Sequence, residues 1–293
     1  MTELQSAPGA QQSGLVLRAA IGAYPHTRAL KDGTAHSSRL RLAHVEISPI
    51  YKAFRPMVNE LAFDLSEMAV VTYILARAFG RRLVGLPVVL MRNSPHAAIV
   101  CPARSRIQGP QDLAGRTIGV RSYTQTTGVW VRGILQEQFG VEPGKLRWIT
   151  LENAHVDGYQ DPPHVRRSDD GKSLVEMLRA GDIDAAVGIN SAGHPDLRPL
   201  FPDGERVTAE WSQRTGVQPI NHIVVVKEEI AAGYPWVTGE LLNLFEAAKR
   251  MSPGGPAFGL EQNRAAIEAV ASYAFEQQIT PRVFTPEELF PAT

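Results

Sequence analysis

Polar residues gather in this chain at spacings that suit two tasks, holding an anion and moving a proton. Between residues 119 and 141, "GVRSYTQTTGVWVRGILQEQFGV" passes from a strand-like to a helix-like pattern, and Arg121, Ser122, Thr126 and Thr127 crowd the joint. A helix leaves its first backbone N–H groups unpaired, and these attract anions, so the joint is furnished for a carboxylate. A guanidinium grips a carboxylate through two parallel hydrogen bonds while hydroxyls complete the shell. The plainer reading of the same residues makes Ser122 or Thr124 an N-cap and Arg121 a solvated charge. Histidine is the natural proton carrier near neutral pH, and His26, His96 and His222 fall where strand ends or crossing loops are expected. Asp64 and Glu67 stand three apart around an expected strand-to-helix turn. Glu67 is there either an acid or base in a cleft, or, with Ser66, a first-turn residue favoured by the helix dipole. His155, His164 and His194 lie in polar loop sequence and read as solvated. No HExxH or similarly spaced ligand pair occurs, so no metal is expected; such a site would need His26, Glu67 and His222 drawn together from distant loops.

These side chains need a scaffold, and the rest of the chain describes one. At 293 residues, 44% hydrophobic and 20% charged, it has ample material for a buried core and suits two modest domains or one large one. Its 30 Lys and Arg balance 30 Asp and Glu, so no net field favours nucleic acid or an anionic membrane. Cys101 is the only cysteine, which excludes an intrachain disulfide and fits a reducing compartment. It follows the apolar "AAIV" and reads as a buried structural thiol. No stretch approaches about 18 unbroken apolar residues, and residues 1–13 read as a flexible polar leader without a signal peptide's apolar centre. The expected compartment is the cytoplasm.

Short apolar runs alternate with helical patterns, as in an α/β protein with largely parallel sheets. Strands are expected at 15–22, 40–47 and 83–91, and a helix over 66–80 with Ser66 as its N-cap and Gly80 as its stop. Pro110 and Asp112 open a short helix that Gly115 ends, and "RTIGV" then leads as a strand into the hydroxyl-rich joint. Residues 173–188 read as helix, turn at Gly181, then strand; 152–172 read as an exposed loop. Strand character returns over 220–230, followed by helices over 235–251 and 261–278.

The segments "GAYPHTRALKDG" (22–33), "FDLSEM" (63–68), "GVRSYTQTTGVWVRGIL" (119–135), "PINH" (219–222), "PWVTGELLNLFEAAK" (235–249) and "NRAAIEAVASYAFEQQITPRVFTPEELF" (263–290) together resemble the 4,5-dihydroxyphthalate decarboxylase family. The resemblance implies a two-lobed, type 2 periplasmic-binding-protein-like fold, α/β with mixed, mostly parallel sheets and hinge crossovers. The first lobe would comprise 14–104 plus 223–293 and the second 105–222. Ligand would sit in the interlobe crevice, facing the carboxyl ends of the strands. One stretch departs from the family. There the family sets an Arg and a His close together before a Ser, whereas "MRNSPHAAIV" separates Arg92 from His96 and inserts Pro95.

What the resemblance implies chemically is loss of CO2 from a hydroxylated aromatic acid, without an organic cofactor. An aryl carbanion is too unstable to leave behind. Protonating the ring carbon that bears the carboxylate avoids it, with an ortho or para hydroxyl feeding electron density into that carbon. The catalytic candidates are His222, which "PINH" sets where the chain re-enters the first lobe, Glu67, and His26 just after the first strand. Substrate-binding candidates are Arg121, Ser122, Thr126, Thr127, Asp64, Arg92 and His96. The expected partner is a small aromatic carboxylate, with no nucleic acid and no membrane; a homo-oligomer is compatible with all of this. The alternative is a solute-binding or sensor protein that closes on an aromatic carboxylate without changing it.

Overall fold

A computed structural model describes residues 14–252 and 254–291; the polar leader expected over 1–13 lies outside the described residues. In chain order the strands are β1 Leu15–Ala20, β2 Leu40–His44, β3 Leu65–Ala69, β4 Leu83–Arg92, β5 Ile99–Pro102, β6 Thr117–Val120, β7 Arg147–Thr150, β8 Val165–Arg167, β9 Ala185–Val187, β10 Leu197–Pro199 and β11 Ile220–Lys227. The helices are α1 Arg28–Lys31, α2 Phe54–Glu60, α3 Val70–Ala78, α4 Thr126–Phe139, α5 Leu174–Ala180, α6 Gly204–Thr215, α7 Glu228–Gly233, α8 Val237–Met251, α9 Leu260–Glu276 and α10 Pro286–Leu289.

Two mixed sheets result, ordered β2-β1-β3-β11-β4 and β10-β5-β9-β6-β7-β8. Each is parallel but for one reversed strand, β11 in the first and β5 in the second. These are the strands that follow the two crossings of the chain between sheets. Ile99–Pro102 therefore belongs with the second sheet, and Ile220 to His222 pair with Arg92, Met91 and Ala69 in the first. The division expected at 104/105 and 222/223 falls after β5 of the second sheet and within β11 of the first.

Helix α9, expected wholly within the first lobe, packs against α3 and against α4 of the second. Arg132 Nε on α4 donates to Gln277 Oε1 just past α9 at 2.6 Å, and a Cβ at Gly133 would collide with the ring of Tyr273. One apolar core accordingly runs from Phe54 and Ile74 through Trp130 and Trp148 to Val270 and Tyr273. Cys101 is buried within it, and burial pushes its thiol away from the reactive thiolate.

The largest local departure concerns residues 65–69, where a helix was expected from Ser66 onward. They form a strand whose five residues are all buried, with Ser66 opposite Val225 and Glu67 opposite Val224. The strand-to-helix joint thus lies at Ala69, not at Asp64 to Glu67, and Ser66 caps nothing. Pairing on both sides holds this segment extended against its helical pattern. Helix α6 and the short strands β8 and β10 lie in segments for which no element was expected. Among the described residues, no helix is long and apolar enough to cross a membrane.

Candidate active site

The carboxyl ends of β3, β4, β6, β7 and β9 converge on a cleft of about 1000 Å³ between the two sheets. Because β11 runs antiparallel to its neighbours, its first residues lie beside the last residues of β3 and β4. His222 reaches the cleft there, at a register shift against β4, where a bulge re-aims a side chain. It sits opposite Ala69, so Glu67, two residues back on the same face of β3, becomes its diagonal neighbour.

Glu67 is fully buried, and its carboxylate collects three donors. Oε1 accepts from Nδ1 of His222 at 2.6 Å and from the hydroxyl of Tyr24 at 2.6 Å, while Oε2 accepts from the Gly22 N–H at 2.9 Å. A side chain at position 22 would strike that carboxylate and the Tyr24 ring, so glycine is required by the close approach. Burial and the neighbouring carboxylate push the Tyr24 hydroxyl far up, which keeps it a donor. With Nδ1–H committed to Glu67, the Nε2 edge of His222 is the one free to exchange a proton with a ligand. Glu67 does not itself line the cleft; it orients and charge-balances the imidazole that does.

The opposite wall is the hydroxyl-rich joint after β6. Arg121 lies over the ring of Tyr51, 4.4 Å from its centroid, with Nε buried, 3.8 Å from Glu152 Oε2 and without a hydrogen-bond partner among the described residues. Ser122 and Thr124 bond to each other at 3.2 Å; neither caps α4, whose N-cap position is Gln125. Thr126 Oγ1 accepts the Val71 N–H at 3.3 Å, which ties the first turn of α3 to that of α4, and Thr127 Oγ1 accepts from Asn93 Nδ2 at 2.7 Å. Gln125 and Asn221 also line the cleft, each with its side-chain oxygen buried and without a donor among the described residues.

Several expected site residues lie elsewhere. Asp64 is at the far end of β3, paired with Lys227 Nζ at 3.0 Å and accepting the Arg18 N–H. His26 does not line the cleft: its ring stacks on Tyr24 and meets the edge of Phe258, and burial pushes it down. Since both oxygens of Glu67 are filled by donors, the trio His26, Glu67 and His222 is not arranged to hold a metal ion, and no other such group occurs among the described residues. His96 is a core residue, its nitrogens bonded to Thr208 Oγ1 and Gln138 Oε1 among Phe139, Phe201 and Trp211. Pro95 opens the 3-10 turn that directs it inward. Arg92 does line the cleft, but its guanidinium is spent on the carbonyl of Gln218 and on Asn263 Oδ1.

His155, expected to be solvated, is the residue that sequence reasoning missed. It lines the cleft with Nδ1 3.1 Å from Thr72 Oγ1. Its ring stands edge-on to Phe54 at 5.7 Å, as that of His222 does at 5.1 Å. Burial, then the charges of Arg121, Arg55 and His222, push it down to about 4, so it is neutral near pH 7. Nothing local in "ENAHVDGYQ" marks it. The cleft therefore offers an incompletely satisfied guanidinium and a helix N-terminus on one side, a carboxylate-backed imidazole on the other, and a neutral imidazole between them.

No protein-family model matches the chain. It is similar to a 4,5-dihydroxyphthalate decarboxylase of Comamonas testosteroni, 29% identical over 262 residues that span 82% of this chain and 76% of that protein. A 4,5-dihydroxyphthalate decarboxylase of Pseudomonas putida is 26% identical over 219 residues, 67% of this chain and 81% of the relative. Among solved structures, the periplasmic aliphatic sulphonate binding protein SsuA of Escherichia coli superposes with a TM-score of 0.61 at 14% identity, covering 96% of this chain and 93% of that one. The alkanesulfonate-binding protein SsuA of Xanthomonas axonopodis pv. citri, bound to MOPS, gives 0.51 at 16% identity over 93% and 84%. The family resemblance read from the sequence is borne out by the curated relatives, and the two-lobed periplasmic-binding-protein-like fold by the structures.

Proposed function

From its kinship with the 4,5-dihydroxyphthalate decarboxylases, we propose that this chain is a carboxy-lyase that removes CO2 from a hydroxylated aromatic acid, 4,5-dihydroxyphthalate or a close hydroxybenzoate. The observation that carries the reading is that Arg121 and His222 line one cleft from opposite walls, the latter backed by a buried carboxylate. Arg121, with the hydroxyls and first-turn N–H groups of the joint, holds a carboxylate and fixes the ring. Protonated His222 then gives its Nε2 proton to the ring carbon that bears the departing carboxylate. The C–C bond breaks, its electrons restore the aromatic ring, and CO2 leaves. Glu67 stabilises the imidazolium before transfer and holds the ring of His222 in line throughout.

A binder that closes on an aromatic carboxylate uses the same clamp, and the fold neighbours are binders. The His222–Glu67 pair favours chemistry, because capture alone has no use for a carboxylate-backed imidazole aimed into the cleft. The test is CO2 release from purified protein incubated with a panel of hydroxylated phthalates and benzoates, with and without chelator. We expect release from the wild type, none from His222→Ala, and measurable ligand binding in both. Release at the wild-type rate from the histidine variant, or binding without release by the wild type, overturns the assignment.

A further inference from the structure

His155 is brought into the cleft by contacts that belong to the opposite lobe. The segment after β7 folds back onto α2: Arg55 Nη1 bonds Asp157 Oδ1 at 2.5 Å and Nη2 the carbonyl of Ala154 at 2.7 Å. Asn59 Nδ2 donates to the His155 carbonyl at 2.8 Å, and Asn59 Oδ1 accepts the Asp157 N–H at 3.1 Å. With its backbone bolted on both flanks and Nδ1 against Thr72, the imidazole has one nitrogen left. Nε2 has no hydrogen-bond partner among the described residues and is not sealed from the cleft.

We infer that Nε2 of His155 is the receptor for a ring hydroxyl of the substrate, so that the site selects aromatic acids hydroxylated on the edge facing Thr72 and Phe54. The inference rests on the carboxy-lyase reading for its chemistry and deepens it. Ring protonation needs a hydroxyl whose proton is drawn away as charge enters the ring. Carboxylate bound at Arg121 offsets one of the positive charges that disfavour a proton on His155, so substrate itself prepares the acceptor.

The step balances. The phenol O–H bond gives its proton to His155 Nε2 and its electron pair to the ring, and the ring carbon takes a proton from His222. Heterolysis then releases CO2, the pair returns through the ring to oxygen, and oxygen recovers its proton from His155. One proton, supplied by His222, is consumed in each turnover.

The experiment is a calorimetric titration of the intact protein with 4,5-dihydroxyphthalate and with phthalate, which lacks the hydroxyls, run beside the CO2 assay. We expect the wild type to prefer the hydroxylated acid by about tenfold or more, the scale of a site whose buried polar groups are built for a hydroxyl. His155→Phe brings the ratio to about one, whereas His155→Gln keeps part of it and serves as the folded control. An unchanged ratio in both variants, or no preference in the wild type, overturns the inference. If the wild type discriminates but releases no CO2, the carboxy-lyase reading falls while the hydroxyl receptor stands. Binding of neither acid overturns both.

Discussion

Glu67 Oε1 lies 2.6 Å from Nδ1 of His222, across 155 positions of sequence. Their strands are neighbours, so the pair is rigid, and the carboxylate behind the imidazole decides which ring nitrogen faces the ligand. Glu67→Gln keeps the volume and removes the charge. CO2 release should fall by roughly 10²-fold or more in kcat with KM nearly unchanged, since proton delivery to the transition state is what it loses. Steady-state kinetics check this, and an equal rise in KM would mean that Glu67 serves binding instead.

Arg121 has the opposite profile. Its guanidinium is incompletely paired and faces the cleft, so Arg121→Met should raise the dissociation constant for an aromatic carboxylate by about 10- to 100-fold, the worth of one charge-assisted hydrogen bond. The melting temperature should not move. Affinity within twofold of wild type would place the anion elsewhere, at Thr126 and Thr127.

Stability should fall as pH drops from about 6.5 to about 4, and His155 contributes to that fall. The unfolded chain binds a proton there near pH 6.5, whereas the folded chain resists it down to about 4, held off by burial and by Arg121, Arg55 and His222. Its contribution is complete above about 6.5 and lost through the window. His26, His44, His96 and His164 are lowered as well and act in the same direction. Denaturant melts between pH 7.5 and 4 should show a shallower decline for His155→Gln than for the wild type; parallel curves would remove the assigned role of burial.

The Arg55–Asp157 pair is largely solvated, its side chains 44% and 62% exposed, so Arg55→Met should cost under about 1 kcal/mol of global stability. Its effect should be local. Amide exchange over 153–158 should quicken, and the preference for a hydroxylated ring should shrink with His155 itself unaltered. Unchanged exchange would mean that Asn59 alone holds the segment.

Gly133 lets α9 lie against α4, and a methyl group there meets the Tyr273 ring. Gly133→Ala should destabilise by about 1–3 kcal/mol through overpacking, read as a lower melting temperature. Stability equal to wild type would show that the two helices can separate at no cost.

Much of this protein is written locally. Apolar runs fix most strands, Ser173 and Gly181 bracket α5, and Gly140 stops α4 in a left-handed conformation. The run from Arg121 to Thr127 carries its anion-binding character in residue types alone, and "PINH" and "FDLSEM" carry the family likeness. Sequence also separates a protein with a balanced charge and one buried thiol from nucleic-acid binders and disulfide scaffolds.

What tertiary structure decided is which of these polar residues meet. Residues 66–69 read as the start of a helix, and only pairing between β1 and β11 holds them extended and turns Glu67 toward His222. His96 and Arg92 carry suitable chemistry, but partners on α6, on α9 and after α6 occupy it first. His155 sits in sequence that looks solvated and enters the cleft because Arg55 and Asn59, nearly a hundred positions away, bind its backbone. Periodicity records which face of an element is apolar; it holds no term for a contact between distant segments, and an active site is made of such contacts.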